Sequence, residues 1–180
     1  MKSMHRQHSH TRLSALLVSI ALPFAAAQPK PVTAERIIAA DNEPQNWLAH
    51  GRTYGEQRYS PLKQVNDGNV EKLGLAWSYA TNSTRGLQAT PIVVDGRMYA
   101  TGVWSVVYAL DAKTGKELWT YDPQVPREWG RYACCDAVNR GVALWGDALY
   151  FATLDGRLIS LDARTGKQRW EINTIDRTKP

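Results

Sequence analysis

The sequence predicts an all-β protein that forms part of a β-propeller. Short strand patterns fill the chain from Gly74 onward, and each is bounded by a turn signal. A Trp-ended segment also recurs: Asp111–Trp119 and Asp162–Trp170 are copies offset by 51 residues, and a weaker copy ends at Trp77. A repeat of about 40–50 residues with four short strands is typical of one propeller blade. We therefore expect two fairly complete blades plus a fragment.

The strand patterns fall into two series, one for each predicted blade. The first series is predicted at residues 75–79, 90–94, 98–101, 106–110 and 117–121. The second is predicted at residues 141–144, 148–153, 158–161 and 168–172. Asp95-Gly96, Gly146-Asp147 and Asp155-Gly156 mark hairpin turns, where Gly or Asp accepts a positive φ. One blade cannot bury both of its faces, so each blade needs neighbours.

The residues before the blades divide into three parts. Residues 1–27 resemble a secretory signal, with a basic start, an apolar stretch at 13–24 and the small residues Ala25-Ala26-Ala27 before the cleavage site. This predicts export to the periplasm; an uncleaved membrane anchor is the alternative. Residues 28–45 lack strand alternation and are interpreted as a linker or a surface arm. Residues 46–180 are predicted to be the first part of the propeller, with a short helical turn near residues 69–73.

Charge and histidine content argue against two classes of function. The predicted signal carries three basic and no acidic residues, so its removal lowers the formal net charge from +5 to +2. A nearly neutral chain gives no strong case for nucleic acid as a partner. Outside the signal, His50 is the single histidine. A zinc site made of Cys and His would therefore have too few ligands.

The two cysteines of the chain, Cys134 and Cys135, are adjacent and lie between the two repeats. In an exported protein with no other thiol, such a pair is expected to form a vicinal disulfide. The ring is too small to tie distant segments together, and loop entropy contributes little to so short a loop. Its role would be local, as a rigid, flat and polarisable surface. The alternative is a pair of reduced, buried cysteines at a strand end.

Three features together resemble one enzyme family. They are the export signal, the repeat ending in Thr-Gly-Lys-x-x-Trp, and the run Cys-Cys-Asp-x-Val-Asn-Arg-Gly at residues 134–141. In these the chain resembles the PQQ-dependent alcohol dehydrogenases of the methanol and ethanol quinoprotein group, whose fold is an eight-bladed β-propeller. The resemblance covers nearly all of the chain after the signal but only the first quarter of a family member. It implies an N-terminal fragment of a partial eight-bladed propeller, inactive by itself.

The resemblance implies four cofactor-binding residues. Cys134 and Cys135 would form a disulfide platform against one face of the quinone, and Arg140 would bind a carboxylate of pyrroloquinoline quinone (PQQ). Gln88 stands where the family usually has Glu, a departure that either tunes the electronics of the cofactor or weakens its binding. The alternatives are a solvated arginine at residue 140 and an ordinary polar residue at a strand start for Gln88.

The same resemblance implies the chemistry of the complete protein. It would oxidise primary alcohols to aldehydes with PQQ and calcium and pass electrons to a cytochrome c or a quinone. The catalytic base and the calcium ligands would lie downstream of residue 180, so no catalytic or metal-binding residue is expected in this chain. A haem c domain, in family members that carry one, would lie beyond residue 180, so the lack of a Cys-x-x-Cys-His motif here does not bear on it. Peripheral association with a membrane is a further expectation.

Two other interpretations stay open at this point. The first is a non-enzymatic periplasmic propeller that serves as an assembly scaffold, since Trp-ended repeats occur there too. The second is a degenerate paralogue that folds but does not bind the quinone, and Gln88 is the residue that supports it. Titration of the full-length protein with PQQ separates the enzyme from both.

Overall fold

The computed structural model describes residues 29–176 and shows two antiparallel sheets. The predicted signal at residues 1–27 lies outside the described residues. Each sheet has four strands in chain order, and each corresponds to one predicted repeat. The strands are β1 (Ile92–Val94), β2 (Arg97–Thr101), β3 (Val107–Asp111), β4 (Glu117–Tyr121), β5 (Ala143–Trp145), β6 (Ala148–Ala152), β7 (Arg157–Asp162) and β8 (Gln168–Asn173). The predicted pair of blades is therefore confirmed.

Helical structure in the described residues is short. Helix α1 (Ala34–Ile38) is followed by 3-10 turns at Ala40–Asn42, Val70–Lys72, Val103–Ser105 and Arg127–Tyr132. The second of these turns lies where the sequence predicted a helical turn. The strand predicted at residues 75–79 is wrong, because no strand within residues 29–176 pairs with this segment. None of the helices in the described residues is long and apolar enough to cross a membrane.

The repeated Asp-x-x-Thr-Gly segment forms the turn between the last two strands of each sheet. In the first sheet, Oδ1 of Asp111 accepts hydrogen bonds from the backbone N–H of Thr114 at 2.8 Å and from its hydroxyl at 2.7 Å. Asp162 and Thr165 make the same two bonds in the second sheet, at 2.8 and 2.7 Å. An Asp side chain that satisfies backbone donors in this way stabilises a tight turn. The two turns are thus structural copies, as their sequences predict.

A tryptophan of each repeat packs on the turn of the next sheet. The Nε1–H of Trp119 donates to the carbonyl of Ala163 at 3.2 Å. The indole covers Gly166, where an added Cβ would lie 2.6 Å from the ring and where φ is +70°. Trp77 makes the same pair of contacts with the turn of the first sheet. Glycine is needed at these turns for two reasons, the positive φ and the close approach of the indole.

The core lies between the two sheets and includes a buried tyrosine that joins them. The hydroxyl of Tyr99 donates to the carbonyl of Ala163 at 3.0 Å, and its ring lies 5.9 Å from that of Trp119. Burial raises the pKa of Tyr99 to about 12, so the hydroxyl remains a protonated donor at neutral pH. Other fully buried core residues are Val32, Ile92, Val94, Val107, Leu149, Ile159 and Leu161.

The segment interpreted as a linker or arm contacts both sheets. Val32 exchanges two backbone hydrogen bonds of 2.8 Å with Gly146, in the turn between β5 and β6. The backbone N–H of Lys30 donates to the carboxylate of Asp95, in the turn between β1 and β2, at 2.7 Å. Trp47, just after this segment, exchanges two backbone hydrogen bonds with Val93 of β1, at 2.7 and 2.9 Å. Residues 29–47 therefore brace β1 and the turns that follow β1 and β5, whereas the site below is built from the segments that precede these two strands.

The contact of Trp119 with Gly166 yields a stability prediction. Gly166→Ala adds a methyl group that overlaps the indole and also strains a positive φ, whereas Gly96→Ala adds only strain, because a Cβ there meets nothing within 4 Å at φ +80°. We expect Gly166→Ala to lower the free energy of unfolding by about 1–3 kcal/mol more than Gly96→Ala does. Urea-induced unfolding of the purified proteins measures the difference. Equal decreases in the free energy of unfolding of the two variants would show that the indole contact does not contribute to stability.

Candidate functional site

The segments that precede β1 and β5 meet side by side, and they carry the predicted site residues. The backbone N–H of Thr90 donates to the carbonyl of Arg140 at 3.2 Å. Gly141 allows this approach, since a Cβ there would lie 3.1 Å from the carbonyl oxygen of Thr90, at a φ of +132°. Gln88 lies two residues before Thr90 and is exposed. The contact therefore brings the Gln88 and Arg140 segments to the same end of the two sheets.

The cysteine pair lies on the insertion that connects the two sheets, between β4 and β5. Both side chains are exposed, and the structure holds them as two free thiols. The predicted burial of a reduced pair is therefore wrong, while the predicted disulfide stays a prediction. A hydrogen bond with the Cys135 thiol raises the pKa of Cys134, and the positive charge of Arg140 acts in the opposite direction. Arg140 is thus close enough to the pair to act on its ionisation.

Arg140 presents an unpaired positive charge. Its side chain is exposed, and within residues 29–176 no carboxylate forms an ion pair with it. It borders an open groove whose walls include His50, Phe151 and Leu158. A guanidinium in this position is available to bind a carboxylate from solution.

Three of the four predicted residues belong to one short run of the chain, and the fourth lies on the neighbouring segment. Cys134, Cys135 and Arg140, called the cluster below, lie within seven consecutive residues, and the charge of Arg140 acts to lower the pKa of Cys134. Gln88 joins it through the contact of Thr90 with Arg140, but in the described part of the chain its side-chain amide makes no hydrogen bond with the other three. The amide is therefore free to bind a ligand between the two segments.

An ion pair that the sequence did not predict joins the same two segments. The guanidinium of Arg85 pairs with the carboxylate of Asp136, next to Cys135. Asp136 adopts a φ of +72°, and its Oδ1 also accepts the backbone N–H of Ala137 at 2.7 Å. Because Arg85 lies three residues before Gln88, the pair connects the Gln88 segment to the cysteine segment.

Trp104 anchors the insertion to the first sheet. Its backbone N–H donates to the carbonyl of Ala137 at 2.8 Å, and its ring lies 4.5 Å below the guanidinium of Arg127. The ring also covers Gly130, where a Cβ would approach it to 2.8 Å. Cation–π stacking and close packing together hold the start of the insertion against the loop between β2 and β3.

Asn139 is the other residue that sequence reasoning missed. It lies inside the Cys-Cys-Asp-x-Val-Asn-Arg-Gly run, directly before Arg140, and it contacts both sheets. The run itself was recognised as a motif, but only its cysteines and its arginine were given roles. The polar residues between them were a signal that could have identified the anchoring residues.

Within residues 29–176, no three side chains of His, Cys, Asp or Glu are grouped so that they could hold a metal ion.

Comparison with known proteins supports one family. Residues 47–172 match the family model described as the PQQ β-propeller domain of glucose, ethanol and alcohol dehydrogenases. The chain is 59% identical over 162 residues to the quinohemoprotein alcohol dehydrogenase ADH-IIG of Pseudomonas putida, covering 89% of this chain and 23% of the relative. It is 58% identical over 135 residues to 1-butanol dehydrogenase (cytochrome c) of Thauera butanivorans, covering 74% of this chain and 20% of the relative.

Solved structures agree with the sequence comparison. The structure of ADH-IIG from Pseudomonas putida superposes with a TM-score of 0.80 at 59% identity, over 83% of this chain and 22% of that one. A europium-containing methanol dehydrogenase superposes with a TM-score of 0.73 at 39% identity, over 79% of this chain and 25% of that one. The chain thus spans about a quarter of the length of these relatives, and the prediction of a partial propeller is confirmed. On the match over residues 47–172, the chain belongs to the PQQ β-propeller family of the glucose, ethanol and alcohol dehydrogenases.

Proposed function

We propose that this chain supplies one wall of a PQQ site in an exported dehydrogenase that oxidises primary alcohols to aldehydes. The observation that carries the proposal is the hydrogen bond of Thr90 with the Arg140 carbonyl, which places the run from Cys134 to Arg140 beside the Gln88 segment, in a chain of this family. The relatives named as alcohol dehydrogenases and as 1-butanol dehydrogenase support the substrate class. When bound, PQQ supplies the hydride acceptor that no protein side chain provides.

The side chains in the cluster fit the chemistry of this cofactor. PQQ is a planar quinone with three carboxylates, and the Arg140 guanidinium is exposed and has no acidic partner in residues 29–176. A planar fork of N–H donors matches a carboxylate with two parallel hydrogen bonds. Arg140 would therefore bind a carboxylate of PQQ and fix the orientation of the ring.

The cysteine pair would contact the flat face of the ring. We propose that Cys134 and Cys135 are joined as a disulfide in the exported protein, where thiols are oxidised. The two adjacent thiols lose two electrons and two protons to a thiol oxidase when the bond forms. The oxidised side chains carry no S–H donor and present two polarisable sulfurs. Such a surface suits contact with a quinone face better than a hydrogen-bonding side chain would.

Gln88 would donate or accept a hydrogen bond at the edge of the cofactor. Its amide keeps nearly the reach of the Glu that the family resemblance implies, but it carries no charge. This substitution is the observation that favours a second candidate function, a degenerate paralogue that folds without binding PQQ. A non-enzymatic scaffold is the third candidate.

The proposal for the complete enzyme also includes calcium, a catalytic base and an electron acceptor. We place the base and the metal ligands beyond residue 180. The europium-containing relative makes a lanthanide the alternative to calcium. The relative named for cytochrome c supports a c-type cytochrome as the acceptor, and the quinohemoprotein relatives support a haem c domain downstream.

The function is tested on the full-length protein. We expect its apoprotein to reduce an artificial dye with primary alcohols only after PQQ and calcium are added, with a rate that saturates near one PQQ per chain. The control is the same preparation without PQQ. Tight PQQ binding without dye reduction would contradict the dehydrogenase. Absence of PQQ binding would favour the degenerate paralogue or the scaffold.

Arg140 is tested by its effect on PQQ affinity. Arg140→Ala removes a charged contact made through two hydrogen bonds, so we expect the Kd of PQQ to rise about 10–100-fold. Arg140→Lys keeps the charge but lacks the planar pair of guanidinium N–H donors, so we expect a smaller rise. Quenching of tryptophan fluorescence during titration measures the Kd. Arg164→Ala, at an exposed arginine in the turn at the opposite end of the second sheet, is the matched control. Equal affinities for Arg140→Ala and the control would remove Arg140 from the site.

The disulfide is tested by mass. We expect the native protein purified from the periplasm to gain about 2 Da on reduction, because two thiol hydrogens return. Alkylation before reduction should label neither Cys134 nor Cys135, and alkylation after reduction should label both. Full labelling of the unreduced, folded protein would show that the exposed thiols of the structure persist and that no disulfide platform forms.

A further inference from the structure

Asn139 is hydrogen-bonded on all sides at the point where the insertion rejoins the second sheet. Its Nδ2 donates to the carbonyl of Ala152 at 2.8 Å and to the hydroxyl of Ser105 at 3.2 Å. Its Oδ1 accepts the backbone N–H of Gly141 at 3.0 Å, and its own carbonyl accepts the hydroxyl of Thr101 at 3.3 Å. One residue thereby links the first sheet, the second sheet and the loop between them.

The bond from Gly141 to the Asn139 side chain closes an Asx-turn with Arg140 at its centre. In such a turn the side chain of residue i holds the backbone N–H of residue i+2, which restricts the residue between them. The carbonyl of Arg140 is held separately by the N–H of Thr90. The peptide groups on both sides of Arg140 are therefore fixed, and its Cα–Cβ bond has a defined direction.

Only a carboxamide can make this set of bonds. The amide offers two N–H donors and one carbonyl acceptor, and all three functions are used here. Aspartate has nearly the same shape but no donor, so it would place a negative oxygen against the carbonyl of Ala152. Asn139→Asp is therefore a nearly isosteric change that removes both amide donations, to Ala152 and to Ser105, and keeps the bond from Thr101 to the backbone carbonyl.

We propose that Asn139 is a positioning residue that aims the Arg140 guanidinium at its anionic ligand. The proposal rests on the proposed function, in which Arg140 binds a carboxylate of PQQ. Asn139 itself need not touch the cofactor, because its polar atoms are already engaged by Ala152, Ser105 and Gly141. Its effect on binding should pass through Arg140, and that distinguishes it from a residue that only stabilises the fold.

A double-mutant cycle on the full-length apoprotein tests the proposal. PQQ affinity is measured by fluorescence titration in calcium buffer for wild type, N139D, R140A and the double variant. We expect N139D alone to raise the Kd about tenfold, because two amide hydrogen bonds are lost, and to add less than about twofold in the R140A background. Asn173→Asp, at an exposed position of β8, controls for the added charge and should change the Kd less than about twofold.

Three outcomes would overturn the proposal, and they differ from failure of the proposed function. Equal tenfold losses from N139D in both backgrounds would assign Asn139 a general structural role. An N139D Kd within twofold of wild type, with R140A weakened, would show that Arg140 needs no positioning. An R140A Kd within twofold of wild type would remove the proposed role of Arg140, and the positioning role with it.

Thr101→Val is a second variant that tests the positioning role of Asn139 if N139D does not fold. It removes only the hydroxyl that holds the Asn139 carbonyl, at a buried position where Val has the same shape. We expect a smaller rise in Kd, about two- to fivefold, that disappears in the R140A background. A rise that persists in that background, or no rise at all, would overturn the positioning role.

Discussion

The packing of the Trp119 indole on the Gly166 turn determines how the two sheets meet. The turn leaves room for the ring because glycine at a φ of +70° has no side chain, and the indole N–H satisfies the carbonyl of Ala163 at 3.2 Å. The strands of each sheet pair in chain order as an antiparallel ladder, with one bulge between the last two strands, so fixing one sheet against the other also fixes where their first strands begin. The contact of Thr90 with Arg140 is made at that place. The candidate site therefore depends on a packing contact toward the opposite end of the second sheet.

The insertion between the sheets combines ligand-facing and anchoring residues within eight positions. In the run from Cys134 to Gly141, the thiols and the Arg140 guanidinium are exposed, while Ala137 and Asn139 hold the backbone to the first sheet through Trp104 and Ser105. Hydrogen bonds to a neighbouring sheet can keep the exposed side chains of such a loop in place, although the loop has no core of its own. This explains why a segment that contains no strand can belong to a precise site.

Local sequence signals predicted the sheets well and the site only in part. The turns at Asp111 and Asp162 were predictable because each depends on residues three positions apart, and the tryptophans were predictable because they recur at the same place in each repeat. The strand predicted at residues 75–79 failed, since a strand needs a partner and pattern alone does not supply one. The Arg85–Asp136 pair joins residues 51 apart, and Asn139 bonds with Ser105, 34 residues away. Contacts between residues so far apart in the sequence depend on how the two sheets pack together, and no periodic pattern in the sequence reveals them.

The charges around the site indicate how it would attract an anion. Arg85 is neutralised by Asp136, and an exposed pair of this kind contributes only about 0–1 kcal/mol, so its effect is to join two segments. Arg140 keeps its charge. A glutamate at residue 88, as the family resemblance implies, would offset that charge, whereas Gln88 leaves it uncompensated. Since exposed charges are screened beyond about 8–10 Å, this difference acts only on a ligand already in contact with the cluster. In this chain, Coulomb attraction at contact thus favours an anion more than in a site that carries glutamate, while the amide retains a hydrogen bond for orientation.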